Sequence, residues 1–155
     1  RHVHLAGCSA HPSSEWVTQQ ARQLTWTWPA RKEAIRFLIR DRDQKFAGGL
    51  DAVFLSDDIE VIRTPFRAPQ ANGVAERFVR TIRSECLDWL LILDQDHLER
   101  VVRVFIDHYN VHRPHRSLRL IPPDPSHPTT PTWCGGHIQR RDRLGGVIHE
   151  YAIAA

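Results

Sequence analysis

The sequence predicts an α/β fold, and three observations point to it. Short apolar runs alternate with amphipathic helical stretches in the order strand, helix, strand, helix. The composition, 41% hydrophobic and 25% charged over 155 residues, suits one globular domain that buries a core. Three widely spaced cysteines (Cys8, Cys86, Cys134) give no disulfide framework, so a reducing, cytoplasmic setting is expected. No apolar run approaches the length of a membrane span, and nothing resembles a signal peptide.

The elements follow in order. Residues 2–8 alternate loosely and read as a strand. Ser13 or Ser14 is placed to cap a helix running to about Leu24, with Trp16, Val17, Ala21 and Leu24 on one side. The run AIRFLI, residues 34–39, reads as a buried strand ending at Arg40-Asp41. Residues 44–54 suit a helix interrupted at Gly48-Gly49, and 59–63 a further strand, followed by a proline-containing loop over 64–72. From Gly73 to about Leu90 apolar residues recur at Ala75, Phe78, Val79, Ile82, Cys86 and Trp89, the stripe of an α-helix with Asn72 as its N-cap. A second long helix is expected over 97–110, with Leu98, Val101, Val102, Phe105 and Tyr109 in phase. Asp96 is its expected cap, and Glu99 follows three residues later as in a capping box.

Prolines at 122, 123, 125, 128 and 131 then break regular structure. Residues 138–151 hold two short runs around Gly145-Gly146, as a hairpin would. The expected division is a core over 1–120, a proline-rich linker over 121–137 and a hairpin tail over 138–155.

The net charge of +3 is mild, but of the 21 basic residues only Lys32 and Lys45 are lysine. An arginine fork donates two parallel hydrogen bonds to phosphate. GC-rich codon usage accounts for such an excess equally well, so the composition permits a nucleic-acid partner without showing one.

Asp41 falls at the carboxyl end of a predicted strand, where α/β sheets place working residues. Glu76 falls in the first turn of the long helix, about a quarter-turn off the apolar stripe, and Arg80 and Arg83 share its face. A carboxylate followed by two guanidinium groups suits phosphodiester chemistry, in which carboxylate-held divalent cations activate the attacking oxygen and stabilise the leaving one. The same spacing also fits an exposed i,i+4 salt bridge between Glu76 and Arg80, the commoner outcome on spacing alone.

Three motifs weigh against that outcome. TPFRAPQANGVAERFVRTIR, residues 64–83, resembles the loop and helix that carry the catalytic glutamate in insertion-sequence transposases and retroviral-type integrases. RDRDQKF, residues 40–46, is similar to that family's second-aspartate motif, and 34 residues separate Asp41 from Glu76, close to the family spacing. YNVHRPHRSL, residues 109–118, is similar to the segment that closes bacterial transposase cores. The resemblance implies an RNase H-like mixed sheet flanked by helices, with Asp41 and Glu76 as catalytic, metal-binding carboxylates. It further implies Mg²⁺ or Mn²⁺, nicking at DNA 3′ ends, strand transfer and a homo-oligomeric full-length protein. Gln70, Asn72, Arg80, Arg83, Arg113 and Arg116 are the expected DNA contacts.

The chain departs from the family in one respect. Residues 1–40 contain no aspartate, and their only acids are Glu15 and Glu33. There is no methionine, and the chain opens inside a strand-like run. The expectation is a fragment in which residues 2–8 form the third strand, while the first two strands and the first catalytic aspartate are missing. Loss of a central strand exposes the edge of the 34–39 strand, and loss of a ligand weakens the metal site.

Other residues carry weaker readings. Asp43 is a candidate auxiliary to Asp41. Cys8 with His11 and Cys134 with His137 have a spacing that zinc ligands use, but each pair is only half a site, and a structural or incidental role is the expectation. His112 and His115 either touch DNA or pack around Tyr109. The run Arg140 to Arg143 reads as a solvated face, and the five tryptophans as core or edge residues. Two further classes stay open: a non-catalytic remnant serving as a DNA-binding or oligomerisation module, and another RNase H-like nuclease such as a resolvase. The 155-residue chain by itself is expected neither to nick nor to join DNA; Mg²⁺-dependent strand transfer by the purified chain would contradict this.

Overall fold

The computed structural model describes residues 2–27, 35–46, 48–66, 69–124 and 137–154. The chain divides into two compact units, one of Ala6–Val79 and one of Arg1–Leu5 with Arg80–Ala155.

In the first unit, helix α1 (Ser14–Thr27) starts where the Ser13 hydroxyl accepts a hydrogen bond from the Trp16 N–H at 3.2 Å. It runs three residues beyond the expected end and buries Thr18, Ala21 and Thr25. Strands β1 (Phe37–Arg40) and β2 (Glu60–Arg63) are parallel, with Leu38 opposite Val61 and Arg40 opposite Arg63. Helix α2 (Gly49–Leu55) lies on the crossover between them, as a parallel pair requires. A 3-10 turn, Gln44–Phe46, precedes it, so the expected interruption near Gly48-Gly49 is present. Gly49 lies so near α1 that a Cβ there would sit 2.8 Å from the Thr18 methyl.

The core of this unit is Ala21, Leu50, Phe54 and Ile59, with Val17, Ile35, Leu38, Phe46, Val53 and Val61 packed against it. Side chains alternate along the strands, so Leu38 and Arg40 share the core side while Phe37 and Ile39 are exposed. Strand β1 is shifted from the expected 34–39, and Ala34 lies outside the described residues.

Arg40 is only 8% exposed, and a buried guanidinium needs an acid. Its Nε and Nη2 donate to Oδ1 and Oδ2 of Asp51 on α2, at 2.7 and 2.8 Å. Arg63 Nη2, from the end of β2, donates to the same Asp51 Oδ2 at 2.7 Å. Asp51 thereby joins the carboxyl ends of both strands to the helix between them. The hydrogen bond from Arg40, with that from Arg63, holds the Asp51 carboxyl below its ordinary range against the opposing effect of burial.

In the second unit, helix α3 (Gly73–Glu85) arrives from the first unit and stops earlier than the expected Leu90. Cys86 leaves helical geometry, and a 3-10 turn, Leu87–Trp89, follows. The Trp89 indole N–H donates to the Ser84 carbonyl at 2.8 Å, so this residue caps the helix instead of extending its stripe and is 73% exposed. Ile82 and Cys86 are buried as expected, whereas Ala75 and Val79 are exposed. Burial pushes the Cys86 thiol up to about 11. Asn72 is not a free-standing N-cap either; it ends a 3-10 turn, Pro69–Asn72, that runs straight into α3.

Helix α4 (Gln95–Val111) is capped by Asp94, not Asp96: its carboxylate accepts from the His97 N–H at 2.7 Å. His97 Nδ1 in turn accepts from the N–H of Leu93, the residue before the cap, at 3.3 Å, so the expected capping box through Glu99 is replaced by a contact one residue further out. Glu99 instead pairs with Arg103 one turn on. Val101, Phe105, Ile106, Tyr109 and Asn110 form the buried face of α4.

Residues 2–9 are not a strand. The Asn110 carboxamide, with one donor and one acceptor, bonds both the N–H (2.9 Å) and the C=O (2.8 Å) of Val3, supplying what a neighbouring strand would have supplied. The expected hairpin is present as β3 (His137–Arg143) and β4 (Ile148–Ala154), antiparallel, turning through Leu144, Gly145 and Gly146, all at positive φ. Of the proline-rich stretch, 125–136 lies outside the described residues. Among the described residues no helix is long and apolar enough to cross a membrane.

Replacing Asp51 by Asn leaves Arg40 buried without a counter-charge, and we expect a loss of about 3–5 kcal/mol in urea unfolding at pH 7. Because the folded-state Asp51 value is depressed, its contribution is complete above the ordinary carboxylate value of about 3.9 and is lost as pH falls through the folded value. The wild-type and Asp51→Asn curves should therefore converge in acid. A difference below about 0.5 kcal/mol at pH 7 would contradict the assignment.

Candidate functional site

Asp41 is the first residue after β1, at the carboxyl end of a parallel pair, and is half-buried. Its main-chain oxygen accepts from Arg40 Nη1 at 2.8 Å, and its Oδ1 accepts from the Asp43 N–H at 3.1 Å. Asp43 repeats the pattern: its Oδ1 accepts from the Lys45 N–H at 3.0 Å while Lys45 Nζ lies 2.8 Å from Oδ2. These two side-chain turns fold the DRDQK segment back on itself as the strand ends. Arg42 Nε donates to the Thr64 carbonyl at 2.9 Å, and the Thr64 N–H donates to the Arg40 carbonyl at 2.8 Å. The residues after β1 are thus tied to those after β2.

Glu76 stands exposed in the first turn of α3, just after the 3-10 turn that carries exposed Gln70 and half-buried Asn72. Among the described residues Glu76 has no ion-pair partner, so the salt bridge with Arg80 that spacing favours does not form. Arg80 and Arg83 are exposed, and Arg83 Nε lies 3.6 Å from Asp88 Oδ1. Asp41, Gln70, Asn72 and Glu76 fall in the Ala6–Val79 unit, whereas Arg80, Arg83, Arg113 and Arg116 fall in the other. Among the described residues no three His, Cys, Asp or Glu side chains are grouped for a metal ion, and Cys134 lies outside them. Asp41 and Glu76 are two oxygen donors of the kind that a hard divalent cation takes, with water and phosphate completing its shell.

The closing motif is mostly packed. Arg113 forks onto Glu85, with Nε to Oε2 at 2.8 Å and Nη2 to Oε1 at 2.5 Å, and lies 5.6 Å over the Tyr109 ring. The Glu85 hydrogen bond raises the Arg113 value further above its ordinary one. His115 is buried edge-on against Tyr109 with ring centroids 4.6 Å apart, so packing accounts for its place. Arg116 is exposed on a 3-10 turn, Arg116–Leu118.

Sequence reasoning missed three polar residues that hold the fold: half-buried Asp51 and buried Asn110 and Glu150. Two arginines ending two predicted strands were the available signal for Asp51. Glu150 shares the inward phase of β4 with Ile148, and that phase was readable. Its carboxylate lies 3.3 Å from His108 Nδ1, 3.8 Å from His112 Nε2 and 3.4 Å from Arg143 Nη1. Arg143 also reaches Asp107 at 3.3 Å, while Arg140 pairs with Asp142, so the 140–143 run is largely neutralised on its own hairpin and on α4. Among the tryptophans, Trp26 and Trp89 are exposed and not core; Trp28 and Trp133 lie outside the described residues.

Residues 57–123 match the sequence model of a family described as integrase core domain. The chain is also 32% identical over 60 residues to an uncharacterised protein of insertion element IS136 from Agrobacterium fabrum strain C58, and equally to one from Agrobacterium tumefaciens strain T37. Each match takes in 39% of this chain and 31% of the relative, so it spans about a third of the length of these curated relatives.

Burial, the largest effect at His108, pulls its imidazole below the ordinary value, and Glu150 only partly offsets this. In an NMR titration the His108 C2 proton should titrate below about 6.5. In Glu150→Gln, where the supporting charge is gone, it should titrate lower still; a rise would contradict the arrangement.

Proposed function

We propose that this chain is part of the catalytic core of an insertion-sequence DNA transposase, a reading supported by the match of residues 57–123 to the integrase core domain family. In this reading the α/β unit 6–79 belongs to an RNase H-like sheet, and Asp41 and Glu76 are two of its metal-holding carboxylates. The observation that carries it is the placement of two carboxylates within one compact unit. Asp41 lies at the carboxyl end of a parallel strand, and Glu76, with no ion-pair partner among the described residues, opens α3.

Two divalent ions, Mg²⁺ or Mn²⁺, would supply activation of an attacking oxygen and neutralisation of the leaving one. The residues of this chain hold and orient. Asp41 presents its carboxylate from a turn closed by Asp43, and Glu76 from the first turn of a helix, where a negative charge is favoured. Gln70 and Asn72 offer amide donors to DNA phosphate or bases, and Arg80, Arg83 and Arg116 offer guanidinium groups to the backbone. Arg113 contributes there only by giving up Glu85. The third carboxylate that such chemistry uses does not come from an aspartate in residues 1–40, which contain none. We therefore propose that this chain alone does not cut or join DNA.

The test is Mn²⁺ titration of the 155-residue chain followed by paramagnetic broadening of amide signals, with duplex DNA binding measured in parallel. Amides around Asp41 and Glu76 should broaden first, and Asp41→Asn and Glu76→Gln should each suppress this. Arg80→Ala and Arg83→Ala should weaken DNA binding on all sequences, and each should reduce the salt slope by about one if its arginine neutralises one phosphate. DNA binding with no broadening at either carboxylate would instead support a non-catalytic binding module.

A further inference from the structure

Arg40 directs three donors in one plane. Nε and Nη2 grip Asp51, while Nη1 donates to the main-chain oxygen of Asp41, the very next residue, at 2.8 Å. The first two bonds tie β1 to α2. The third ties nothing distant together, since it joins neighbours in the chain. Its effect is to fix the plane of the Asp41–Arg42 peptide, and with it the backbone angle from which the Asp41 side chain departs. The Asp41 Oδ1 bond to the Asp43 N–H then fixes the side-chain rotation.

We propose that Arg40 is a positioning residue for Asp41, its guanidinium locked by Asp51 so that the strand end presents the Asp41 carboxylate in one orientation to a divalent cation. The proposal rests on the reading of Asp41 as a metal-holding residue. Three further observations support it. Arg40 lies on the core side of β1 and is nearly fully buried, so its fork has no solvent to reorient it. Asp51 is held from its other side by Arg63, so the clamp itself is fixed. A guanidinium alone supplies this geometry: a lysine at 40 would present a single ammonium, unable to span both Asp51 oxygens and reach the Asp41 carbonyl in one plane.

The decisive experiment is an amide-resolved NMR pH titration of the full 155-residue chain and its Arg40→Lys variant. In the wild type the Asp43 N–H shift should follow ionisation of Asp41, its acceptor, an assignment confirmed by loss of the response in Asp41→Asn. In Arg40→Lys we expect that response to fall by half or more. The Lys45 N–H, which reports on Asp43 in the same way, should keep its response. A wild-type response at the Asp43 N–H in Arg40→Lys overturns the proposal. Arg63→Lys loosens Asp51 but leaves both Arg40 bonds to it and the Arg40–Asp41 bond available, so it should lower the response less than Arg40→Lys does; an equal loss there would reduce the effect to destabilisation and also overturn the proposal.

Should Arg40→Lys not fold, the wild type decides by itself. The Arg40 Nη protons should be resolved and slow in rotation, and averaged Nη signals would overturn the assignment. Where Arg40→Lys folds, the Mn²⁺ concentration that broadens the Asp41 region should rise about tenfold, the loss typical when a group that orients a metal ligand is removed. Absence of any such broadening in the wild type removes the metal reading, while the Asp43 titration still judges the positioning.

Discussion

One carboxylate facing two guanidinium groups organises the first unit of this molecule. Two parallel strands of four residues each have little ladder to hold them, and their crossover must be brought back onto the sheet. Asp51 does this at the end where the candidate chemistry lies, by binding Arg40 of β1 and Arg63 of β2 from its position on α2. The apolar core of Ala21, Leu50, Phe54 and Ile59 sets the layers against each other without direction. The ion triad adds direction, because a planar fork on a carboxylate fixes both distance and angle. The group carries two positive charges against one negative, which leaves the strand ends locally cationic beside Asp41.

The second unit solves a similar problem with neutral and mixed groups. Asn110 replaces a strand for Val3, and its own carbonyl accepts the Asp124 N–H at 2.8 Å, so one residue at the end of α4 gathers the chain before and after it. Glu150 does the same between β4 and α4, surrounded by His108, His112 and Arg143. In both units the polar residues at the centre of these groups, Asp51, Asn110 and Glu150, are half-buried or buried, and each pairs with groups on other segments of its unit.

That spread over segments decides what was legible from the residues alone. Helices α1 and α4, the interruption before α2 and the tail hairpin were readable because apolar period, serine capping and paired glycines are local signals. The cap of α4 was misread by two residues: Asp94 and Asp96 are chemically equal candidates, and only the bond from the His97 main-chain N–H to Asp94 distinguishes them. The end of α3 was misread because Trp89 fits the apolar period, although its indole N–H has a better use on the Ser84 carbonyl. Residues 2–8 alternate as a strand does, but a ladder needs a neighbour. At the candidate site, spacing favoured a Glu76–Arg80 salt bridge that the described residues lack, because the two side chains on this exposed helix face stay apart. Asp51 and Glu150 left signals that a reading element by element passes over: two arginines end the predicted strands that Asp51 joins, and Glu150 falls in phase with Ile148.

The bonds between Val3 and Asn110 span 107 positions of chain. Closing so long a loop carries a larger entropy cost than closing the 11 positions between Arg40 and Asp51. The segment around Val3 therefore docks at a higher closure cost than the contacts of α1 to β2, and only on an α4 that is already there to receive it. During synthesis it leaves the ribosome long before Asn110 exists, and for that interval the main-chain groups of Val3 wait in water for a side chain that has yet to be made.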